Sequence, residues 1–135
     1  MAAGGALSGE HPNAALTRRL FSAFGRDAKV IAAALARDVV WHVPGATVMS
    51  GEYHGMREVV EFLRRTGTET GGTYRSRLHT VLADDEWGVA IYRATGRRNG
   101  IDLDVEQARI IRFADGKLQE VTAVPLDPTF DAFWS

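Results

Sequence analysis

Two dipeptides, Asn99-Gly100 and Asp115-Gly116, constrain this chain more than any other feature. Each lies between runs whose hydropathy alternates with a period of two, and each supplies the positive φ that a two-residue hairpin loop demands. They predict an antiparallel meander of strands near 87–98, 101–113 and 117–126, with a further strand near 73–83 before it. A tight loop at Asn99-Gly100 also sets the register of one pair, placing Arg97 opposite Asp102, Arg93 opposite Glu106 and Tyr92 opposite Gln107. Opposite charges meet in that register, which supports it.

Ahead of the strands the apolar period is helical. A first helix begins at Pro12-Asn13, with Asn13 as its cap and Gly25 as its stop, and gathers Leu16, Leu20, Phe21 and Phe24 on one face. A second takes Asp27 as cap and buries Val30, Ile31, Ala34 and Leu35. An apolar strand through Trp41 follows. A third helix, from about Gly55 to Arg65, turns Met56, Val59, Val60 and Leu63 inward and sets Arg57, Glu61 and Arg65 outward at i,i+4 spacing. Helices followed by a meander predict an α+β fold: three N-terminal helices packed on a strongly curved, mainly antiparallel sheet, a cone that encloses a pocket. A length of 135 residues suits one domain, expected over 11–135 behind a disordered, glycine-rich lead over 1–10.

Composition removes several classes of function. A formal net charge of -1 provides no field for gathering phosphates, so no nucleic-acid partner is expected. The chain has no cysteine, which excludes disulfides, thiolate catalysis and cysteine-ligated metal centres. Its four histidines lie on non-adjacent elements without metal-ligand spacing, so neither a metal nor another cofactor is expected. Glycine-rich dinucleotide loops, phosphate-binding lysine motifs and nucleophile elbows are likewise missing. With no apolar run of spanning length and no basic, apolar start, the expected location is the cytoplasm, away from membranes. High alanine, arginine and glycine usage fits a GC-rich bacterial source.

The stretch Asp38-Val-Val-Trp-His-Val-Pro-Gly45, followed by Ser50-Gly-Glu-Tyr-His-Gly55, brings Trp41, His42 and Tyr53 around one turn. His42 is the candidate base, since imidazole moves protons near neutral pH; its alternative is a core histidine bonded to a backbone carbonyl. Tyr53 is a candidate donor to a developing enolate or alkoxide, or else an aromatic plug at the pocket mouth. Gln107 and Arg109 share one face of the 101–113 strand. If that face is concave, they are donors to a carbonyl and to a carboxylate or oxyanion, with Tyr92 opposite. If the sheet is flipped, Glu106 and Arg93 form the inner pair, and Gln107 and Arg109 face an interface. Trp41, Phe62, Tyr92 and Trp134 are the expected apolar wall around a substrate. His79 reads as a sheet-surface residue, and His11 and His54 as solvent-facing loop residues.

Several segments in this order resemble one family: Val40-Trp-His-Val-Pro-Gly45, Ser50-Gly51 with Gly55, Thr70-Gly-Gly-Thr73, Leu82-Ala-Asp-Asp85, Arg112-Phe-Ala-Asp-Gly-Lys117, and Asp127 with Asp131-Ala-Phe-Trp134. From about Asn13 to its end, the chain resembles the SnoaL-like, or ketosteroid-isomerase-like, group of the nuclear transport factor two superfamily. The resemblance implies the cone-shaped fold, a homodimer formed through the open side of the sheet, and a C-terminal aromatic segment, Trp134 included, that closes the cavity. It also sets His42 where ketosteroid isomerases carry a carboxylate base. The chain departs from the pattern twice. An acid of the epoxide-hydrolase branch is replaced by Ala123, and the acid of ketosteroid isomerases aligns near Gln107 or Arg109.

Two functions follow as expectations. One is a cofactor-independent isomerase, cyclase or lyase acting on a hydrophobic, carbonyl-bearing molecule by proton abstraction and enolate stabilisation, with His42 as base and Tyr53, Gln107 or Arg109 as electrophile. The other is a non-catalytic small-molecule-binding or dimerisation module of the same fold, in which His42 turns away from the cavity.

Overall fold

In a computed structural model that describes residues 10–135, both hairpin dipeptides turn as the sequence requires: φ is 52° and 76° at Asn99 and Gly100, and 52° and 72° at Asp115 and Gly116. Positive φ at both central residues is the geometry whose twist matches the flanking strands. The expected lead over 1–10 lies outside the described residues except for Glu10.

Four helices and six strands make up the described residues. Helices α1 (Pro12–Ala23) and α2 (Ala28–Ala34) lead directly into strand β1 (Leu35–Val43). Strand β2 (Gly51–His54) and helix α3 (Gly55–Glu69) follow, then strands β3 (Arg75–Ala83), β4 (Trp87–Arg98), β5 (Ile101–Ala114) and β6 (Lys117–Pro125), and a short C-terminal helix α4 (Thr129–Trp134). The strands form one open, curved sheet in the order β2-β1-β6-β5-β4-β3. All neighbours are antiparallel except β1 and β6, which run parallel. The sheet is therefore mixed. Among the described residues, no helix is long and apolar enough to cross a membrane.

The β4–β5 register is the expected one, with Tyr92 opposite Gln107, Arg93 opposite Glu106 and Arg97 opposite Asp102. Side chains then choose partners by reach: Arg93 bonds diagonally to Asp104 at 2.7 Å, and Glu106 turns to His79 at 3.1 Å. Asp27 caps α2, accepting hydrogen bonds from the backbone N–H groups of Lys29 and Val30. Asn13 is not the α1 cap. His11 holds that position and accepts from the Asn13 backbone N–H, while the Asn13 side chain reaches across to the carbonyl oxygens of Asp84 and Asp85 in the β3–β4 turn. The sequence placed Leu35 on a helical stripe, yet it opens β1, because α2 ends after only seven residues.

Strand periodicity divides the sheet into two chemically different faces. Trp41 and Val43 of β1, Tyr92 and Ala94 of β4, and Leu103 and Val105 of β5 point into the cone and are at most 6% exposed. Helices α1 and α3 lie over this face, and Phe130, Phe133 and Trp134 of α4 pack into the same core. Close packing of β4 against its neighbours β3 and β5 depends on Gly88, where a Cβ would stand 2.8 Å from the Phe113 ring and 3.2 Å from the Leu82 carbonyl oxygen. Gly88→Ala is expected to destabilise the fold by about 1–3 kcal/mol through overpacking, read as a lower urea midpoint with an unchanged slope.

Candidate functional site

Inside the cone lies a polar centre in an aromatic wall. It begins with β5, whose inward residues change from apolar to polar at Gln107 and Arg109 and back to apolar at Ile111. The register places Arg109 between Ala90 of β4 and Ala123 of β6. Two small neighbours leave room for the side chain to rise from the sheet floor. The guanidinium carbon stands 4.7 Å from the centre of the Tyr92 ring and 5.0 Å from those of Phe21 and Trp41.

No acidic side chain and no imidazole is among the described residues that line this cavity, and Arg109 Nε is buried without a hydrogen-bond partner. A charge held this way is incompletely compensated. Ring quadrupoles attract it by about 2 kcal/mol or more each when water is excluded, but taking the ion out of water costs several kcal/mol. Beside it, Gln107 is 4% exposed and borders the cavity. Tyr74 closes the polar cluster: burial pushes its phenol well up from the ordinary value, the neighbouring Tyr92 adds to the rise, and the Arg109 charge opposes it. Its hydroxyl therefore stays protonated near neutral pH and acts as a donor. The space between these side chains is about 40 Å³, enough for one or two waters, whereas ligand pockets run to several hundred. Binding a molecule requires the walls to part.

The structure brings together only some of the residues singled out from the sequence. Gln107, Arg109, Trp41, Phe62, Tyr92 and Trp134 all line the cavity, and the concave alternative for the 101–113 strand is the one observed. Accordingly, Glu106 and Arg93 lie on the outer face. His42 does not join the inner group. Successive strand residues face opposite ways, so with Trp41 inward His42 points out from the convex face. There its Nδ1 is 3.0 Å from Glu52 and its Nε2 2.6 Å from Glu120. Assigning Trp41 and His42 to one pocket conflicted with the two-residue period. This cluster holds β2, β1 and β6 together, and Arg112 extends it to β5 through Glu120 at 3.4 Å.

Tyr53 lies opposite Trp41 in the β1–β2 register, and its ring centre is 4.4 Å from that of Phe62. Its hydroxyl donates to the Met49 carbonyl oxygen at 2.7 Å, so the group foreseen as an enolate donor secures the loop before β2. Burial also moves this phenol upward from its ordinary value, with Arg65 opposing. Among the other histidines, His79 sits on the sheet surface as expected, and His54 is exposed beside Glu52. His11 instead caps α1 and meets Asp85 at 2.8 Å. Tyr74 and Phe24 are cavity residues that the sequence reading did not assign to the site. For Tyr74 a signal was present: Tyr74, Ser76 and Leu78 alternate with Arg75 and Arg77 at the entry to β3.

A model of the SnoaL-like domain matches residues 17–121. The chain belongs to the SnoaL-like domain family. An uncharacterized protein of Mycobacterium tuberculosis is 32% identical over 123 residues, spanning 89% of this chain and 94% of the relative. Among solved structures, Bal32a from a soil-derived mobile gene cassette superposes with a TM-score of 0.87 at 31% identity, over 92% of this chain and 97% of that one. TerC, co-crystallized with polyporic acid, superposes with a TM-score of 0.78 at 20% identity, over 92% and 98%, and speaks to the fold alone. Other solved chains that share the fold bear names of the polyketide-cyclase and ketosteroid-isomerase classes, at 16% and 22% identity. In this SnoaL-like domain, Ala123 lines the cavity directly across from Arg109, so that position supplies the guanidinium with no counter-ion.

Two measurements follow. Replacing the unpaired cation with an apolar side chain of similar length, Arg109→Met, is expected to leave stability unchanged or raise it by about 1–3 kcal/mol in urea unfolding. On the outer face, the hydrogen bond to His42 lowers the Glu120 carboxyl from its ordinary value, with a smaller contribution from Arg112. A depressed carboxylate stabilises the fold fully above the ordinary carboxylate range, and that contribution is lost as pH falls through the lowered value. Urea midpoints at neutral and acid pH should therefore differ less in Glu120→Gln than in the parent. Since Glu120 is 38% exposed, the change should stay under about 1 kcal/mol.

Proposed function

We propose that this SnoaL-like domain takes up a hydrophobic, carbonyl-bearing small molecule and holds its anionic oxygen, an enolate, phenolate or carboxylate, against Arg109 and Gln107. The observation that carries the reading is the half-buried Arg109 side chain, packed among three aromatic rings with a buried, unpartnered Nε and no acid among the described residues of the cavity wall. A cation preorganised in a water-poor site stabilises negative charge that develops on a substrate oxygen, and it needs no reorganisation to do so. Gln107 supplies an amide donor beside it, and the protonated Tyr74 hydroxyl a third polar group. The flat walls formed by Trp41, Phe62, Tyr92 and Trp134 suit a planar, apolar body.

The reaction type that fits is a cofactor-independent isomerase, cyclase or lyase in which the protein provides the electrophile. No carboxylate or imidazole among the described cavity residues accepts the proton, so water or a basic atom of the substrate does. Membership of the SnoaL-like family supports this class. The same lack of a base favours a second reading, in which the cavity binds an acidic molecule without transforming it. The chain is further proposed to form a homodimer through the outer sheet face, where Leu82, Trp87 and Ile110 are exposed; sedimentation of the purified chain checks this.

Deuterium exchange at the acidic carbon of 2-tetralone, followed by NMR, separates the two readings. The enzyme reading expects faster exchange with the parent protein, a loss of about a hundredfold in Arg109→Met, and no change in His42→Ala. Ala123→Asp should act like Arg109→Met, because it gives the guanidinium a neighbouring carboxylate. Binding without exchange, still dependent on Arg109, selects the binding module. Binding that is indifferent to Arg109 removes both.

A further inference from the structure

Beside the cavity, between the C-terminal end of α1 and the start of β3, lies a hollow of about 520 Å³. It shares two walls with the inner cavity, Phe24 and Tyr74, whose rings meet edge to face with centres 5.6 Å apart. The hollow thus adjoins the cavity through this ring pair and is its polar neighbour. The two spaces differ in character. The cavity wall is largely aromatic, while the hollow is lined by Ser22, Arg26, Arg75, Ser76 and glycine backbone, with no acidic side chain among its described lining residues. One guanidinium is already positioned: Arg75 donates to the Gly72 and Tyr74 carbonyl oxygens at 2.9 and 2.8 Å. Both bonds come from a single nitrogen, which leaves the rest of the fork for another partner.

We propose that this vestibule is a second, cationic subsite, built by Arg26 and Arg75, which holds an anionic group on the tail of the molecule whose oxygen-bearing head sits at Arg109. The inference rests on the reading of the cavity given above and deepens it by naming a ligand class: an apolar head with an acidic oxygen, joined by a linear spacer to a carboxylate or phosphate. The spacer passes between Phe24 and Tyr74. The geometry favours such a ligand over a compact one for two reasons. A cavity of about 40 Å³ takes in a molecule only if its walls part, and where this ring pair parts, the space gained opens onto two arginines with no acid among the described vestibule residues. Attraction across the exposed mouth is modest and screened by salt, whereas the inner contact at Arg109 is sheltered.

The test uses 6-(4-hydroxyphenyl)hexanoic acid, its neutral methyl ester, and the alkyl phosphate of the same head and spacer, titrated calorimetrically at low and at high salt. The proposal expects the carboxylate and the phosphate to bind about three- to tenfold more tightly than the ester. That preference should shrink with added salt and disappear in the Arg26→Ala/Arg75→Ala double variant, with ester affinity preserved. Arg109→Met should weaken all three ligands together. Equal affinity of acid and ester, or an acid preference that survives the double variant, overturns the vestibule while leaving the cavity reading intact as long as Arg109→Met still weakens the ester. If none of the three binds, or if Arg109→Met changes nothing, the cavity reading fails and the vestibule proposal fails with it. A preference for phosphate alone or carboxylate alone, removed by the double variant, supports the subsite and identifies the tail.

Discussion

A half-buried guanidinium without an acidic partner among the described residues is the constraint around which the inside of this fold is arranged. Arg109 needs small neighbours on both sides and finds them in Ala90 and Ala123. It needs polarisable surfaces to offset lost hydration, which Phe21, Trp41 and Tyr92 provide from α1, β1 and β4. Those three elements are far apart in the chain, so the cation is met only in the assembled fold. An apolar residue of similar size would serve the core as well or better. Stability therefore does not explain the arginine, which is what the proposed role in holding an anionic oxygen rests on.

The two faces of the sheet divide the ionisable groups. Carboxylates and histidines lie outward, in the Glu52–His42–Glu120–Arg112 cluster and the His79–Glu106 pair. Inside are one cation, the phenols of Tyr74 and Tyr92, and an amide. A cavity with this content stabilises negative charge and offers no side chain that withdraws a proton near neutral pH. The substitution that creates this asymmetry is local. Alanine at 123 leaves the cation across the strand pair free for a ligand, where an acid would have neutralised it.

Much of this was legible in the sequence, for physical reasons that differ from element to element. The hairpins were legible because positive φ is a property of two residues, and once the loop is tight the register of a whole strand pair follows. The cap at Asp27 is local in the same way. The parallel contact between β1 and β6 was not legible, since nothing within either strand records its partner. His42 was misplaced because a titratable ring beside a tryptophan suggested one pocket, although adjacent strand residues cannot share a face. Asn13 was misassigned because its side chain is taken by the distant Asp84–Asp85 turn, a competition that only the tertiary structure reveals. Arg109 itself was found, but its significance rests on the absent partner, which no single strand displays.

The parallel seam between β1 and β6 has a consequence for how the molecule is made. His42 and Glu120 stand 78 positions apart, yet they bond across adjacent strands. During synthesis, α1, α2, β1, β2 and α3 all emerge before the strand that must lie beside β1. Until then β1 has only the four residues of β2 as a sheet neighbour, and Trp41 has no finished wall to enter. Long-range pairing of this kind is slow to form and leaves apolar edges open meanwhile. The sheet floor of the cavity is thus completed only by its last strand, with α4 still to cover it, and the nascent chain passes through a stage in which its most apolar strand is an unprotected edge.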